Sequence, residues 1–134
     1  MLCLGLVAAC SSNRAKGPEA MASHLDAMRG AVTRHVADTR RRDALLQSID
    51  GLGADLAMLR QVDFDTMTQI RALNTRPEVT REQMETAMNE FDRQRREARG
   101  RVLQRHFELT GQTTSEEWKK LSGLERKALL ASVQ

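Results

Sequence analysis

Apolar residues recur at three- and four-residue intervals along most of this 134-residue chain. One stripe runs from about Glu19 to Arg60 and resumes as far as Leu73, and a second runs from Met84 to Leu109. This spacing places side chains on one face of an α-helix, whereas a strand alternates with a period of two. Aromatic residues, which favour strands, make up only 3% of the chain. The sequence therefore predicts an all-α fold.

The scarcity of aromatic residues also limits the core, because aromatic side chains bury the most area. A core of Leu, Met, Val, Ile and Ala with 29% charged residues suits long helices that expose most of their circumference. We expect an elongated antiparallel helical hairpin or small bundle, packed like a coiled coil and followed by short C-terminal helices. A deep substrate pocket is not expected.

Two places weaken the first stripe. Residues 39–43 carry no large apolar side chain, and Gly51 with Gly53 lowers helix propensity. The sequence predicts a kink or break near either place, followed by a helix over roughly 52–74. A single helix continuous with the first is the alternative.

The clearest turn surrounds Pro77, which disfavours helix at the preceding residue and lacks a backbone N–H. Thr80 and Gln83 then have the spacing of a capping box, which predicts a helix over 81–109 antiparallel to the one before it. In the tail, Thr114 with Glu117 and Ser122 with Glu125 predict short helices over 115–121 and 123–132. The residues expected to pack this tail on the hairpin are Trp118, Leu121, Leu124, Leu129 and Leu130.

The amino terminus is an apolar run over residues 2–9 that stops at Cys10. The run is too short to cross a bilayer, which takes about 20 residues. Val7-Ala8-Ala9-Cys10 resembles the bacterial lipobox, in which a branched residue, two small residues and a Cys are read by lipoprotein-processing enzymes. The resemblance implies a lipid on the Cys10 thiol, cleavage before Cys10 and acylation of the new amino terminus. Cys3 would be lost with the cleaved segment.

These features predict three segments. Residues 1–9 are a signal peptide, residues 10–18 are a lipidated flexible tether and residues 19–134 are the helical domain. Ser11 after the Cys resembles the signal for delivery to the outer membrane, with the domain facing the periplasm. Lys or Arg usually opens a signal peptide and neither precedes the apolar run, which predicts a translation start further upstream.

Candidate ligands for a metal ion are His24, Met28 and His35, which share one helical face. Imidazole and thioether groups suit copper or nickel. Methionine is also a routine core filler, so we predict packing there and neither a metal nor a cofactor. His106 has no evident partner in the sequence.

The most basic stretch covers residues 93–101 and Arg105, with a second cluster at residues 40–42. A net charge of +3 and the absence of interleaved aromatic residues argue against nucleic acid. Anionic lipid is a better candidate ligand for an envelope protein, and a solvated face with intermixed carboxylates is the plainer interpretation. Without a Ser/His/Asp set, a phosphate loop or a C-x-x-C motif, the sequence does not predict an enzyme.

Residues 78–130 resemble the Spy/CpxP group of periplasmic chaperones and heavy-metal sensors. The resemblance lies in Leu109-Thr110-Gly111-Gln112 and in Thr80 with Gln83, which approach the L-T-x-x-Q motifs of that group. It implies a helical cradle that shields unfolded clients or senses envelope stress. We therefore predict a membrane-anchored interaction or structural module with an envelope protein or anionic lipid as partner, with a Spy/CpxP-like chaperone or sensor as the alternative. A homodimer is a further candidate assembly.

Overall fold

A computed structural model describes residues 17–134, of which 88% are helical. Within this range there are four helices and no strands, so the all-α prediction is confirmed. The predicted signal peptide and the predicted lipidation site, Cys10, lie outside the described residues. The helices are α1 (Pro18–His35), α2 (Thr39–Asn74), α3 (Arg81–Gln112) and α4 (Ser115–Ser132).

The long helices α2 and α3 form an antiparallel hairpin through the turn around Pro77, as predicted. Helix α1 packs on α2 and on α4, and α4 also contacts α2. Helix α2 therefore contacts all three other helices. The most extensive contacts are those between α2 and α3 and those between α1 and α4. Because α1 and α4 have 18 residues each and α2 has 36, the hairpin extends past the first residue of α1 and the last of α4.

The helix starts follow local capping chemistry. Gly17 adopts a φ of 62° before Pro18, which occupies the first helical position. Thr80 and Thr114 each begin a complete capping box, with Gln83 and Glu117 as the reciprocal partners. Both capping boxes were predicted from the sequence.

The break predicted near residues 39–43 lies at residues 36–38, directly before this run. Asp38 accepts a hydrogen bond from the Arg41 N–H at 2.7 Å, and this N-cap starts α2 just before the arginine run. Arginine is a good helix former, so the run continues as helix. The alternative of a break near Gly51 and Gly53 is wrong, since both lie inside α2.

The two glycines of α2 allow close approach of neighbouring helices. A Cβ on Gly53 would lie 3.0 Å from Leu25 Cδ1 on α1. A Cβ on Gly51 would lie 2.6 Å from Arg105 Cζ on α3. Gly53 therefore leaves room for α1 beside α2, and Gly51 leaves room for the Arg105 side chain of α3.

The tail is one helix rather than the two predicted. Ser122 lies inside α4 and does not cap, and Glu125 is buried against His106. Trp118 and Leu121 pack on the core as predicted, whereas Leu130 is 55% exposed. Leu130 was therefore wrongly predicted to hold the tail.

The core runs through the four-helix part of the domain. Its largest fully buried side chains are Met28, Val32, Val36, Leu45, Ile49, Leu52, Leu56, Leu109 and Leu121. Phe64, Met67 and Leu103 were predicted on packing stripes but are 67%, 51% and 55% exposed. Phe64 and Met67 lie on α2 beside the first turn of α1 and the last residues of α4, where neither helix extends far enough to cover them.

Candidate functional site

An open apolar groove lies between α3 and α4, with α2 beneath it. Its volume is about 450 Å³. We call it the lateral groove, and it is lined by Leu59, Arg99, Val102, Leu103, His106 and Leu129. Apolar side chains dominate the lining, and the two polar groups are the guanidinium cation of Arg99 and the imidazole of His106. Such a surface suits an apolar segment that carries a negative charge or a hydrogen-bond acceptor.

The polar side of the lateral groove is built on His106 of α3 and Glu125 of α4. The Nδ1 atom of His106 lies 3.0 and 3.1 Å from the two carboxylate oxygens of Glu125. Glu125 is buried, whereas the His106 side chain is 37% exposed. With Nδ1 as the donor to a carboxylate oxygen, Nε2 of the neutral imidazole is a hydrogen-bond acceptor for a ligand group. Glu125 thereby fixes both the tautomer and the orientation of the ring.

Aromatic contacts support this imidazole. The rings of Trp118 on α4 and of Phe107 each lie edge-to-face with the His106 ring. The distance between ring centroids is 5.5 Å in both pairs. Trp118 also packs on the core, so it connects the groove to the interior. Nothing in the sequence links His106 to Glu125, because these residues lie on different helices with a turn between them. The partner of His106, which was not evident in the sequence, is therefore Glu125.

The rim of the groove carries uncovered apolar side chains. Leu103 and Phe107 are one helical turn apart on α3 and are 55% and 63% exposed. Large apolar side chains grouped on a surface are typical of binding sites for other molecules.

The candidate metal ligands do not share an accessible site. Met28 is completely buried in the core, His24 is half-buried and His35 is exposed. Within residues 17–134, no three His, Cys, Asp or Glu side chains are grouped in a way that would hold a metal ion. Met28 therefore acts as a packing residue in this fold.

The basic stretch of α3 is largely neutralised by carboxylates. Arg93 pairs with Glu90 and Glu97, which lie within one turn of it. Hydrogen bonds from Arg93 and Gln94 lower the pKa of Glu90 to about 2. Three further arginines pair across the hairpin: Arg95 with Asp63 at 2.7 Å, and Arg105 and Arg101 with Asp55 at 3.0 and 3.8 Å. Arg99 has no ion pair within the described residues and lines the lateral groove.

A second surface lies beside the first turn of α1. We call it the α1-start surface, and its lining residues are Arg60, Asp63, Phe64, Met67, Thr68, Arg71, Ser132, Val133 and Gln134. Phe64 also borders a cleft with Pro18 and Met21 of α1. This surface was not predicted, because Phe64 and Met67 have the spacing of core residues.

None of the helices described is long and apolar enough to cross a membrane. Comparison of the chain with protein-family models, with curated proteins and with solved structures finds no match.

Proposed function

We propose that this chain is a lipoprotein of the bacterial cell envelope, anchored through Cys10 to the outer membrane and facing the periplasm. Its helical domain is a non-catalytic module that binds an apolar segment of an envelope protein in the lateral groove. The four residues Val7-Ala8-Ala9-Cys10 support the anchor. The single observation that supports the binding function is the lateral groove with its exposed rim.

The composition of the groove favours binding over catalysis. Its lining residues contribute no hydroxyl, thiol or carboxylate that could act as a nucleophile. Glu125 is buried behind His106 and orients the ring without facing the groove as a second acid. Arg99 is placed to donate to an acceptor group at the edge of an apolar segment, and Nε2 of His106 is placed to accept from a donor there.

The anchor is tested by labelling cells with palmitate. The wild-type chain should incorporate the label, and the Cys10→Ala variant should not. Cys3→Ala is the matched control and should label like wild type, because cleavage removes that residue. Equal labelling of wild type and Cys10→Ala would refute the anchor.

The groove is tested by photo-crosslinking in cells. A crosslinking amino acid replaces Leu103 on the rim, and the control position is Met58, which is 50% exposed and outside the groove lining. We expect one defined adduct from position 103 and none from position 58. Identical adduct patterns at both positions would refute a specific groove partner.

A chaperone of the Spy/CpxP kind is the second candidate function. The observation that favours it is the wide distribution of flexible or aromatic side chains over the surface, with Met58, Phe64, Met67, Met88 and Phe107 all exposed. Methionine adapts its shape to varied apolar partners. The full chain should then slow aggregation of an unfolded client, and Leu103→Ser with Phe107→Ser should remove only part of that activity. Complete loss in this double variant would favour the lateral groove alone.

A further inference from the structure

We propose that the α1-start surface docks on the anionic phospholipid surface of the membrane and fixes how the domain lies against it. The proposal rests on the lipid anchor at Cys10. It goes beyond that anchor by naming the face of the domain that meets the lipid headgroups.

The apolar part of this surface is unusually exposed. Phe64 is 67% exposed, Met67 is 51% exposed and Val133 is 71% exposed. The three residues come from two segments, α2 and the end of α4, that meet around one shallow groove. Grouped apolar side chains of this kind enter the boundary between headgroups and acyl chains in proteins that lie on membranes.

The charged part of the surface is positive. Arg60 and Arg71 line the same groove, and neither takes part in an ion pair within residues 17–134. Asp63 also lines it, but its carboxylate pairs with Arg95 of α3 at 2.7 Å. The two arginines therefore favour an anionic headgroup, and each arginine near an anionic bilayer strengthens contact about fivefold.

The path of the chain brings this surface to the membrane. Gly17 lies against Arg60, since a Cβ there would be 3.0 Å from Arg60 Nη2. Only seven positions separate Cys10 from Gly17, and such a segment spans at most about 25 Å when fully extended. The opposite end of α1, at His35, lies about 27 Å further from Gly17 along the helix axis. A lipid on Cys10 therefore keeps the α1-start surface near the bilayer.

The test uses the full-length lipidated protein in vesicles. Phe64→Cys receives an environment-sensitive fluorophore, and Phe107→Cys is the matched control because the two phenylalanines are 67% and 63% exposed. In the mature lipoprotein Cys3 is removed and Cys10 is acylated, so the introduced thiol is the only one that labels. We expect blue-shifted emission from position 64 in vesicles containing phosphatidylglycerol, little shift in phosphatidylcholine alone and none from position 107.

The charge contribution is tested on the same labelled protein. Arg60→Glu with Arg71→Glu should lower the docked-to-undocked ratio about 25-fold or more, if each arginine contributes about fivefold. Arg40→Glu with Arg42→Glu, at the other end of α2, should leave the emission unchanged. Added salt should weaken docking in the wild type.

Several outcomes overturn the proposal. Equal emission from positions 64 and 107 would refute a defined docking face. An emission shift at position 64 that is unchanged by the Arg60→Glu and Arg71→Glu substitutions would refute headgroup recognition. Emission that rises with protein concentration in detergent, without lipid, would assign the surface to a second copy of the chain. Failure of the anchor gives a different pattern, with extra labelled thiols at Cys3 and Cys10, and would remove the basis of the proposal.

Discussion

Glu117 of α4 binds Arg41 of α2 through both of its carboxylate oxygens, with one of the two contacts at 2.9 Å. The same carboxylate accepts the Thr114 N–H at 2.8 Å and so completes the capping box of α4. One side chain therefore starts α4 and attaches it to α2. The hydrogen bonds from Arg41, and next that from Thr114, lower the pKa of Glu117 to about 2.

The first prediction concerns Glu117→Gln. Glutamine retains the capping geometry but removes the charge that Arg41 binds, so the melting temperature at neutral pH should fall by several degrees. Glu116→Gln is the control, because Glu116 is exposed and pairs only with Lys119 one turn away. If the melting temperature of Glu117→Gln falls no further than that of Glu116→Gln, the ion pair with Arg41 contributes nothing to stability.

The same pair predicts how stability depends on pH. The folded-state pKa of Glu117 is lowered from 4.5 to about 2, so its contribution is complete above the unfolded value and is lost as pH falls between the two. The stability difference between wild type and Glu117→Gln should therefore shrink from pH 4.5 downwards and vanish near pH 2. Denaturant titrations over this range measure it, and a constant difference would contradict the assignment.

A third prediction concerns His106 and Glu125. His106→Ala leaves a buried carboxylate without its partner, which costs about 1–3 kcal/mol of unfolding free energy. The double variant His106→Leu with Glu125→Leu removes both groups and should recover much of this loss. Urea denaturation of the two single leucine variants and the double variant completes the cycle. Additive losses would show that the two side chains do not interact.

Glycines in the helices provide a fourth prediction. Gly100 has open space around its Cβ position, so Gly100→Ala should stabilise the fold by about 1 kcal/mol through helix propensity. Gly53→Ala gains the same propensity but presses on Leu25, and overpacking costs about 1–3 kcal/mol. Thermal unfolding should therefore rank Gly100→Ala above wild type and Gly53→Ala at or below it. Equal gains in the two variants would mean that α1 and α2 do not approach closely at Gly53.

A fifth prediction separates packing from metal binding at Met28. Met28→Leu preserves volume and should cost less than about 1.5 kcal/mol. Met28→Ala should cost about 2–5 kcal/mol, because it leaves a cavity in the core. Copper affinity should be the same in wild type and Met28→Leu. Weaker copper binding in Met28→Leu would restore the metal interpretation.

Local signals predicted much of the fold. The helix predicted over 81–109 is observed as Arg81–Gln112, and both true capping boxes were found because Thr80 and Thr114 act on residues three positions away. The pattern of Ser122 with Glu125 is locally the same, yet Glu125 binds His106 on another helix. A capping pattern alone does not show whether its acidic residue caps the helix or binds a residue on another helix.

The features that sequence reasoning missed depend on how the helices are arranged. Arg41 and Glu117 are 76 positions apart, and no spacing rule connects them. Phe64 and Met67 follow a helical stripe, but whether a stripe is covered depends on where α1 begins and where α4 ends beside it. The lateral groove likewise exists only because α3 and α4 pack on the same part of α2.

The pairing of α1 with α4 has a consequence for the order in which the domain is made. These helices come from opposite ends of the helical domain, and α1 contacts α4 more extensively than it contacts the adjacent helix α2. The buried residues Leu121, Ala128 and Ala131 all belong to α4, so the core cannot close before that helix has been synthesised. Until that helix has been made, the part of the apolar face of α1 that packs on α4 stays uncovered in the emerging chain, whereas the part that packs on α2 can already be buried.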